Sequence, residues 1–410
     1  MSQPPSATRP LVGTKPAGPG ESAKARIAAA VEASRDEILG LSHDIFSHPE
    51  QAFEEVQAAG WIAASLRSHG YSVEHPAGSL ATAVRGRLRG GRSTGGDGPR
   101  IGILAEYDAL PGLGHGCGHN TMAASGIGAA IALAAIAAEL PGEIVFLGTP
   151  AEERGSGKTI MLADGLFEGL DAVLLFHPSD VTHLTCGLLA SEDVEVTFHG
   201  FQAHAASDPW LGRNALDAMI LLFSSVGLWR QQLRPDARVH GVILEGGTAA
   251  NIIPDRTLAW FMIRSSDETE YERMRVRFEE LCRAAALAAE CQVEVVFSGR
   301  SSTMRNNLTL AGRFGANLAA YGIVAGPQPD NLGSSDMGDV SQVLPTIHPQ
   351  VAICEAGVPG HSIEFRDAAG LAYADEVSLV VATVVAQTAY ELFTDPALVE
   401  AAWQEFRAKS

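Results

Sequence analysis

The sequence predicts an α/β protein: a mostly parallel sheet in one larger domain, interrupted by a smaller ferredoxin-like α+β domain. Three observations predict this. Short apolar runs at 101–105, 143–148, 172–176 and 351–354 have strand length and are apolar at consecutive positions, as strands covered on both faces are. A long apolar helix separates the first two runs, and a β-α-β crossover implies parallel pairing. From 191 to 298 the order becomes strand, helix, strand, strand, helix, strand, which is the ferredoxin-like arrangement.

Along the chain, the first twenty residues are rich in Pro, Gly and Ser and lack the apolar stretch of a secretion signal, so 1–22 reads as a disordered tail. Helical periodicity follows at 23–41 and at 56–69, where Ile62, Ala63 and Leu66 recur on one face. The Gly-rich stretch 90–98 is a loop. The helix at 121–140 carries one charge, Glu139, and is long enough to cross a bilayer. Its high Ala and Gly content, and the Pro141-Gly142 step into another apolar run, favour a buried helix instead. In the insert, 193–199 alternates as a half-buried strand, 214–232 is a helix, 238–244 and 257–264 are strands, 267–290 is a charged helix and 292–297 a last strand. The domains are then 23–190 plus 301–410, with 191–300 inserted.

A length of 410 residues exceeds one ordinary core, and 46% hydrophobic with 19% charged residues is the composition of a globular chain. The formal charge of −19, with arginines scattered and no basic patch, excludes nucleic acid as an expected partner. Five cysteines are too few and odd in number for a secreted disulfide framework, and they place the protein in a reducing cytoplasm.

Ligand-type side chains follow the predicted strands. Asp108 follows the first run, Glu152 and Glu153 the second, His177 the third and His361 the fourth. Open α/β sheets bind ligands beyond the carboxyl ends of their strands, so four strands deliver carboxylates and imidazoles to one edge. Cys117 and His119, spaced two apart between glycines, precede the apolar helix and suit an ion that accepts S and N ligands. A reactive thiol at the helix N-terminus is the rival reading of Cys117. Adjacent Glu152 and Glu153 allow one carboxylate to bind metal while the other takes a proton from water, whereas the plain alternative is a solvated turn. His43, His48, His69, His75, His183, His199, His240 and His348 read as structural or surface residues.

These segments resemble the M20 metallopeptidase family, in its amidohydrolase branch. The matching residues are His48-Pro49-Glu50 with Glu54-Glu55, Glu106 to Pro111, Gly114 to Asn120, Gly148 to Glu153, His177-Pro178, Ala203 to Ala206, Arg213 to Ala218, Asn251 to Asp255 and Gly360-His361. The resemblance implies metal ligands at Cys117, His119, Glu153, His177 and His361, Glu152 as general base, and Asp108 orienting a ligand imidazole. It implies that the insert is a lid and dimerisation module of a homodimer. His204 would stabilise the oxyanion, and Asn251 and Arg264 would hold the substrate. The plain alternatives are a surface histidine, a turn former before Pro254 and an arginine paired with an acid. The implied activity is hydrolysis of small amides, N-acyl amino acids or dipeptides, with one or two divalent ions. Thiolate and imidazole suit zinc and carboxylates suit manganese. Neither a membrane nor nucleic acid is implied. A deaminase of aromatic amines on the same site, and an inactive metal-binding scaffold, are the alternatives. The chain departs from the family at Gly116, where relatives carry alanine, and at Thr121-Met122, which replaces a more apolar pair; the glycine is expected to widen the pocket or to loosen the ligand loop.

Overall fold

The computed structural model describes residues 22–93, 98–328 and 333–408. The described residues form two compact units, one of 22–93, 98–186, 304–328 and 339–408, the other of 187–303 and 333–338. The tail expected at 1–22 lies outside the described residues except for Ser22. The hydroxyl of Ser22 accepts from the Ala25 amide at 3.3 Å and caps the first helix. Residues 94–97 of the expected loop are also outside.

In chain order the first unit begins with α1 (Ala23–Ala33), α2 (Arg35–Ser47), α3 (Val56–Ser68), β1 (Ser72–Glu74), β2 (Val84–Arg89) and β3 (Arg100–Ala105). It continues with α4 (His119–Ala135), β4 (Glu143–Gly148), α5 (Gly157–Ala163), β5 (Ala172–Leu174) and β6 (His177–Ser179). The second unit carries β7 (Ala190–His199), α6 (Ala215–Trp229), β8 (Arg238–Glu245), β9 (Arg256–Ser265), α7 (Glu268–Ala288) and β10 (Gln292–Ser301). The chain ends with α8 (Leu308–Ala319), α9 (Met337–Val343), β11 (Thr346–Ile347), β12 (Gln350–Ala352), α10 (Ile363–Ala369), α11 (Ala372–Thr394) and α12 (Pro396–Ala408).

The main sheet has the order β1-β2-β4-β3-β5-β11. It is parallel through β4, β3, β5 and β11, with β2 and β1 added antiparallel at one edge. The single helix expected over 23–41 is broken at Ser34, whose φ/ψ of −102°/12° leaves the helical region. Val31 and Ile38, both buried, are seven apart, so the apolar stripe continues across the break and periodicity does not register it. The strand expected at 351–354 is not in this sheet. β12 pairs with β6 in a separate two-stranded ladder, and the last strand of the main sheet is β11. Pro349, which has no N–H to donate, separates β11 from β12.

α4 explains its own composition. Every residue from His119 to Leu133 is buried, because the helix lies between β3 and α11. A β-carbon on Gly126 would meet the Leu104 carbonyl at 2.9 Å, and one on Gly128 would meet Ala382 Cβ at 2.8 Å. Small residues therefore permit the approach, as a buried soluble helix requires.

In the second unit the antiparallel order β10-β7-β9-β8 is the ferredoxin-like one. Val194, Val196 and Phe198 of β7 and Ala259, Phe261 and Ile263 of β9 alternate inward. They meet Ala218, Met219 and Leu222 of α6, with Leu222 four and three residues beyond the other two, and Tyr271, Met274 and Phe278 of α7, spaced by three and four. Truncating Phe278 would cost about 3–5 kcal/mol.

Candidate metal centre

Within the first unit, three chain segments and two loops converge. Gly118, at φ 76°, turns the chain into α4 and leaves Cys117 and His119 on either side of it. A side chain at 118 would be strained in that conformation and its β-carbon would meet Pro178 Cγ at 2.9 Å. β3 runs on into the extended segment Glu106-Tyr107-Asp108, where alternation sends Glu106 and Asp108 to one side and Tyr107 to the other, all three buried. β4 leads into Glu152 and Glu153 through Ala151, a non-glycine residue at φ 59°. His177 opens β6, and His361, also at φ 59°, is tied back by its amide to the Gly116 carbonyl at 2.9 Å.

The candidate donor atoms of Cys117, His119 and His177 lie within 4.8 Å of one another. So do those of Cys117, Glu153 and His361, and those of Glu106, His119 and Glu152. Cys117 Sγ is 3.3 Å from His177 Nε2, while His177 Nδ1 donates to the Pro178 carbonyl at 2.7 Å. His119 Nδ1 meets Asp108 Oδ1 at 2.9 Å and the Asp108 carbonyl at 3.0 Å. Asp108 Oδ2 accepts the Glu153 amide at 2.9 Å. One buried carboxylate thus fixes both an imidazole and the backbone of a neighbouring acid. His361 Nε2 stands 3.6 Å from Glu153 Oε2.

The donor set fits a divalent ion. His119 Nε2 and Glu153 Oε1 are buried without a hydrogen-bond partner, while the other nitrogen of His119 is anchored by a carboxylate. That is the orientation of a metal-binding histidine. Burial pushes the Cys117 thiol well above the ordinary range, and the Glu153 charge adds to this. A helix N-terminus alone therefore does not make it a free thiolate, and the thiol needs a cation to ionise. Burial also lowers His177, to about 4, so its ring is neutral and has a lone pair to give. For His119 burial acts downward too, but Cys117 and Asp108 outweigh it and hold this ring well above the usual value.

The chain matches the model of Peptidase family M20/M25/M40 over residues 102–385. It belongs to that family. It is 36% identical to Xaa-Arg dipeptidase of Mus musculus over 96% of either chain. It is 29% identical to a p-aminobenzoyl-glutamate hydrolase polypeptide of Escherichia coli (strain K12), covering 92% of this chain and 93% of that one. In three dimensions it is similar to a dinuclear metal-binding M20 peptidase of Bacillus subtilis, with TM-score 0.65 and 22% identity over 85% of this chain and 98% of the other. An aminobenzoyl-glutamate utilization protein of Klebsiella pneumoniae gives TM-score 0.68 and 20% identity over 88% and 96%. This M20 chain is a metal-dependent hydrolase.

Sequence reasoning missed several parts of the M20 centre. Glu106 and Lys158 are both fully buried, with Nζ 2.6 Å from Oε1, and Glu106 Oε2 is 3.2 Å from His119 Nε2. Burial would raise Glu106, but Lys158 and then His119 overcome it and bring the carboxyl down to about 2. Glu106 was findable, being two residues before Asp108 on the same side of an extended segment. Lys158, on α5, carries no such signal. His348, read from sequence as structural or surface, is buried with its ring 5.4 Å from that of His177. Burial lowers it to about 3, so it adds a neutral wall. At Gly116 a β-carbon would meet Leu113 Cδ2 at 2.4 Å, so the Leu113 side chain fills the space beside this glycine.

In the second unit, His204 and Asn251 are neighbours. The Ala205 amide donates to the Asn251 carbonyl at 3.0 Å and His204 bridges Ile252. Both side chains are exposed. Arg264 is not brought to them. It lies eight residues along β9 from Arg256, about 26 Å at about 3.3 Å per residue, at the other end of the strand. Its Nε faces Met262 Sδ at 2.9 Å.

Proposed function

We propose that this chain hydrolyses the amide bond of small dipeptides or N-acyl amino acids, with Cys117, His119, Glu153, His177 and His361 holding one or two divalent ions, zinc or manganese. The observation that carries the reading is the gathering of those five side chains beside Glu152, with His119 Nε2 and Glu153 Oε1 buried and without a hydrogen-bond partner. Such an ion, when bound, polarises the scissile carbonyl and lowers the pKa of water from about 15.7 to about 7. Glu152, half-buried at the rim of this group, accepts the proton of the attacking water on its carboxylate and passes it to the leaving nitrogen. His204 Nδ1 accepts from the amides of Ala206 at 3.2 Å and Ser207 at 3.1 Å. Its proton therefore resides on Nε2, which makes that nitrogen a hydrogen-bond donor, as the oxyanion role proposed for His204 requires. Asn251, on the adjoining loop, offers an amide to the substrate carbonyl or carboxylate. Arg264 has no place beside these two on one copy of the second unit.

Relatives named for Xaa-Arg dipeptides make dipeptides with a cationic C-terminal residue the first substrates to test, and a net charge of −19 favours their approach. The second unit also supports a homodimer. β8 is an edge strand with Val242 and Leu244 about half exposed, and α6 exposes Leu228. Light scattering at the mass of a single chain would overturn the dimer. The five cysteines are all free, which fits a cytoplasmic protein.

The deciding experiment incubates the protein with Mn²⁺ or Zn²⁺ and a panel of Xaa-Arg dipeptides, other dipeptides and N-acyl amino acids, read by mass spectrometry. Cleavage to an amine and an acid is expected. Glu152→Gln is expected to keep its metal and lose roughly 10²–10⁴-fold in rate. Ammonia release without a split amide, or near-normal turnover by that variant, would refute the proposal.

A further inference from the structure

We infer that Glu55 is a positioning residue for the Glu152-Glu153 pair, acting through the amide of Ala151; this rests on the role proposed above for those acids. Glu55 stands at the head of α3 and is fully buried. Its Oε1 accepts the Ala151 N–H at 2.8 Å, across 96 residues of sequence, and its Oε2 accepts the Thr82 hydroxyl at 2.8 Å. The Thr82 carbonyl in turn accepts the Tyr107 hydroxyl at 2.6 Å, and Tyr107 lies between Glu106 and Asp108. The two segments that supply acids to the centre are thereby linked through one carboxylate.

Glu55 is not spent on its own helix. The first amides of α3, Gln57 and Ala58, are held by the Glu50 carboxylate at 2.9 and 3.0 Å. Nor is it suited to apolar packing, because burial pushes its carboxyl up to about 7. A buried carboxylate retained at that cost has to do something its neighbours need. What it holds is a residue in the left-handed region, fully buried, immediately before Glu152. Such a conformation persists only where surroundings over-determine it. On the other side of Glu152, the Glu153 amide is held by Asp108 Oδ2. The amides flanking Glu152 are therefore each clamped by a buried carboxylate, Glu55 before it and Asp108 after it. Without the first clamp the peptide preceding Glu152 has one anchor fewer, and the general base swings relative to the atoms it serves. Glu55 is not one of the gathered candidate donors.

The test compares Glu55→Ala, Glu55→Gln and Thr82→Val in the full Mn²⁺-loaded chain. Gln keeps an oxygen for Ala151 and gains a donor for Thr82, whereas Thr82→Val leaves the Ala151 bond in place. Hydrogen exchange of the peptide spanning 149–155 is read without substrate, and kcat, KM and metal content are read beside it. Glu55→Ala is expected to exchange faster at that peptide and to lose roughly tenfold or more in kcat, with KM within about twofold. Glu55→Gln and Thr82→Val are expected to stay within about threefold of the parent in both readouts. Unchanged exchange in Glu55→Ala, a kcat loss no larger than its loss of folded protein, or failure of Gln to rescue would each overturn the inference. If the parent cleaves no amide, the proposed function fails while the exchange measurement still judges Glu55.

Discussion

Replacing Asp108 by asparagine tests the centre at its least redundant point. The side chain is 1% exposed, and its two oxygens serve two donors, His119 Nδ1–H and the Glu153 N–H, each at 2.9 Å. Asparagine has one oxygen and one NH₂ for the same two places. If the oxygen stays with Glu153, the NH₂ faces His119 Nδ1 and donates to it, driving the ring proton to Nε2, the atom that must be bare to bind an ion. If the oxygen stays with His119, the NH₂ faces the Glu153 N–H and two donors collide. Either way one hydrogen bond to a charged group is lost, worth about 1.5–3 kcal/mol, with a buried donor left over. The Asp108 carbonyl, 3.0 Å from Nδ1, retains part of the ring's orientation, so the lower end applies. A loss of about 1.4–2.7 kcal/mol corresponds to 10–100-fold weaker metal binding, the range for removing a partner of a metal-bound histidine. Competition against a chromophoric chelator at fixed pH measures it. A variant that folds normally and binds Mn²⁺ or Zn²⁺ within about twofold of the parent would refute this account of His119.

Stripping the ion with a chelator should lower the melting temperature reversibly, since ion at 100 times its Kd contributes about 2.7 kcal/mol; an identical melt with and without metal would contradict the fit of the donor set. Stability should also report Glu55 as pH changes. Its folded pKa, raised from 4.5 to about 7 by burial, makes the neutral form the stable one. The contribution is therefore full below pH 4.5 and is lost as pH rises through about 7. Glu55→Gln, which cannot ionise, should gain about 3 kcal/mol on the parent between pH 4.5 and pH 8. Parallel denaturation midpoints across that range would place Glu55 in a more hydrated setting than it has here.

The parts of the architecture legible in sequence are those written in long periods. The insert's strand and helix order is carried by runs of six residues or more, and the crossover helix by its unbroken small apolar composition. β11 is two residues long and cannot show a period, so the apolar run that follows Pro349 presents itself as the last strand of the main sheet in its place. β2, Val-Arg-Gly-Arg-Leu-Arg, alternates next to the edge strand β1 and so lacks the apolar run that marks the parallel strands. At the site, residues announced by glycine or by a strand end stand out: Cys117, His119, Glu152, Glu153, His177 and His361. Lys158 and His348 do not, because a lysine on a short helix and a lone histidine read as surface until tertiary packing closes over them. Arg264 looks equivalent to Asn251 in sequence, and only the length of β9 separates them.

Lys158 also shows how the centre divides its charges. Four carboxylates, Glu106, Asp108, Glu152 and Glu153, and a thiol are gathered in one buried region, and like charges in a low dielectric repel strongly unless each has a counter-charge. Glu106 takes its counter-charge from the chain, through a fully buried ammonium at 2.6 Å. Asp108 takes its own from His119 and from the Glu153 amide. The groups facing Glu153 Oε2 and Cys117 Sγ are instead imidazoles, His361 at 3.6 Å and His177 at 3.3 Å, and His177 is neutral by burial. The fixed cation thus sits behind the site, against the carboxylate that the ligand set does not use. The thiol is left facing the neutral ring of His177, and the second acid of the pair faces His361. A divalent ion bound there would supply the missing charge, whereas Glu106 already has its counter-charge from Lys158.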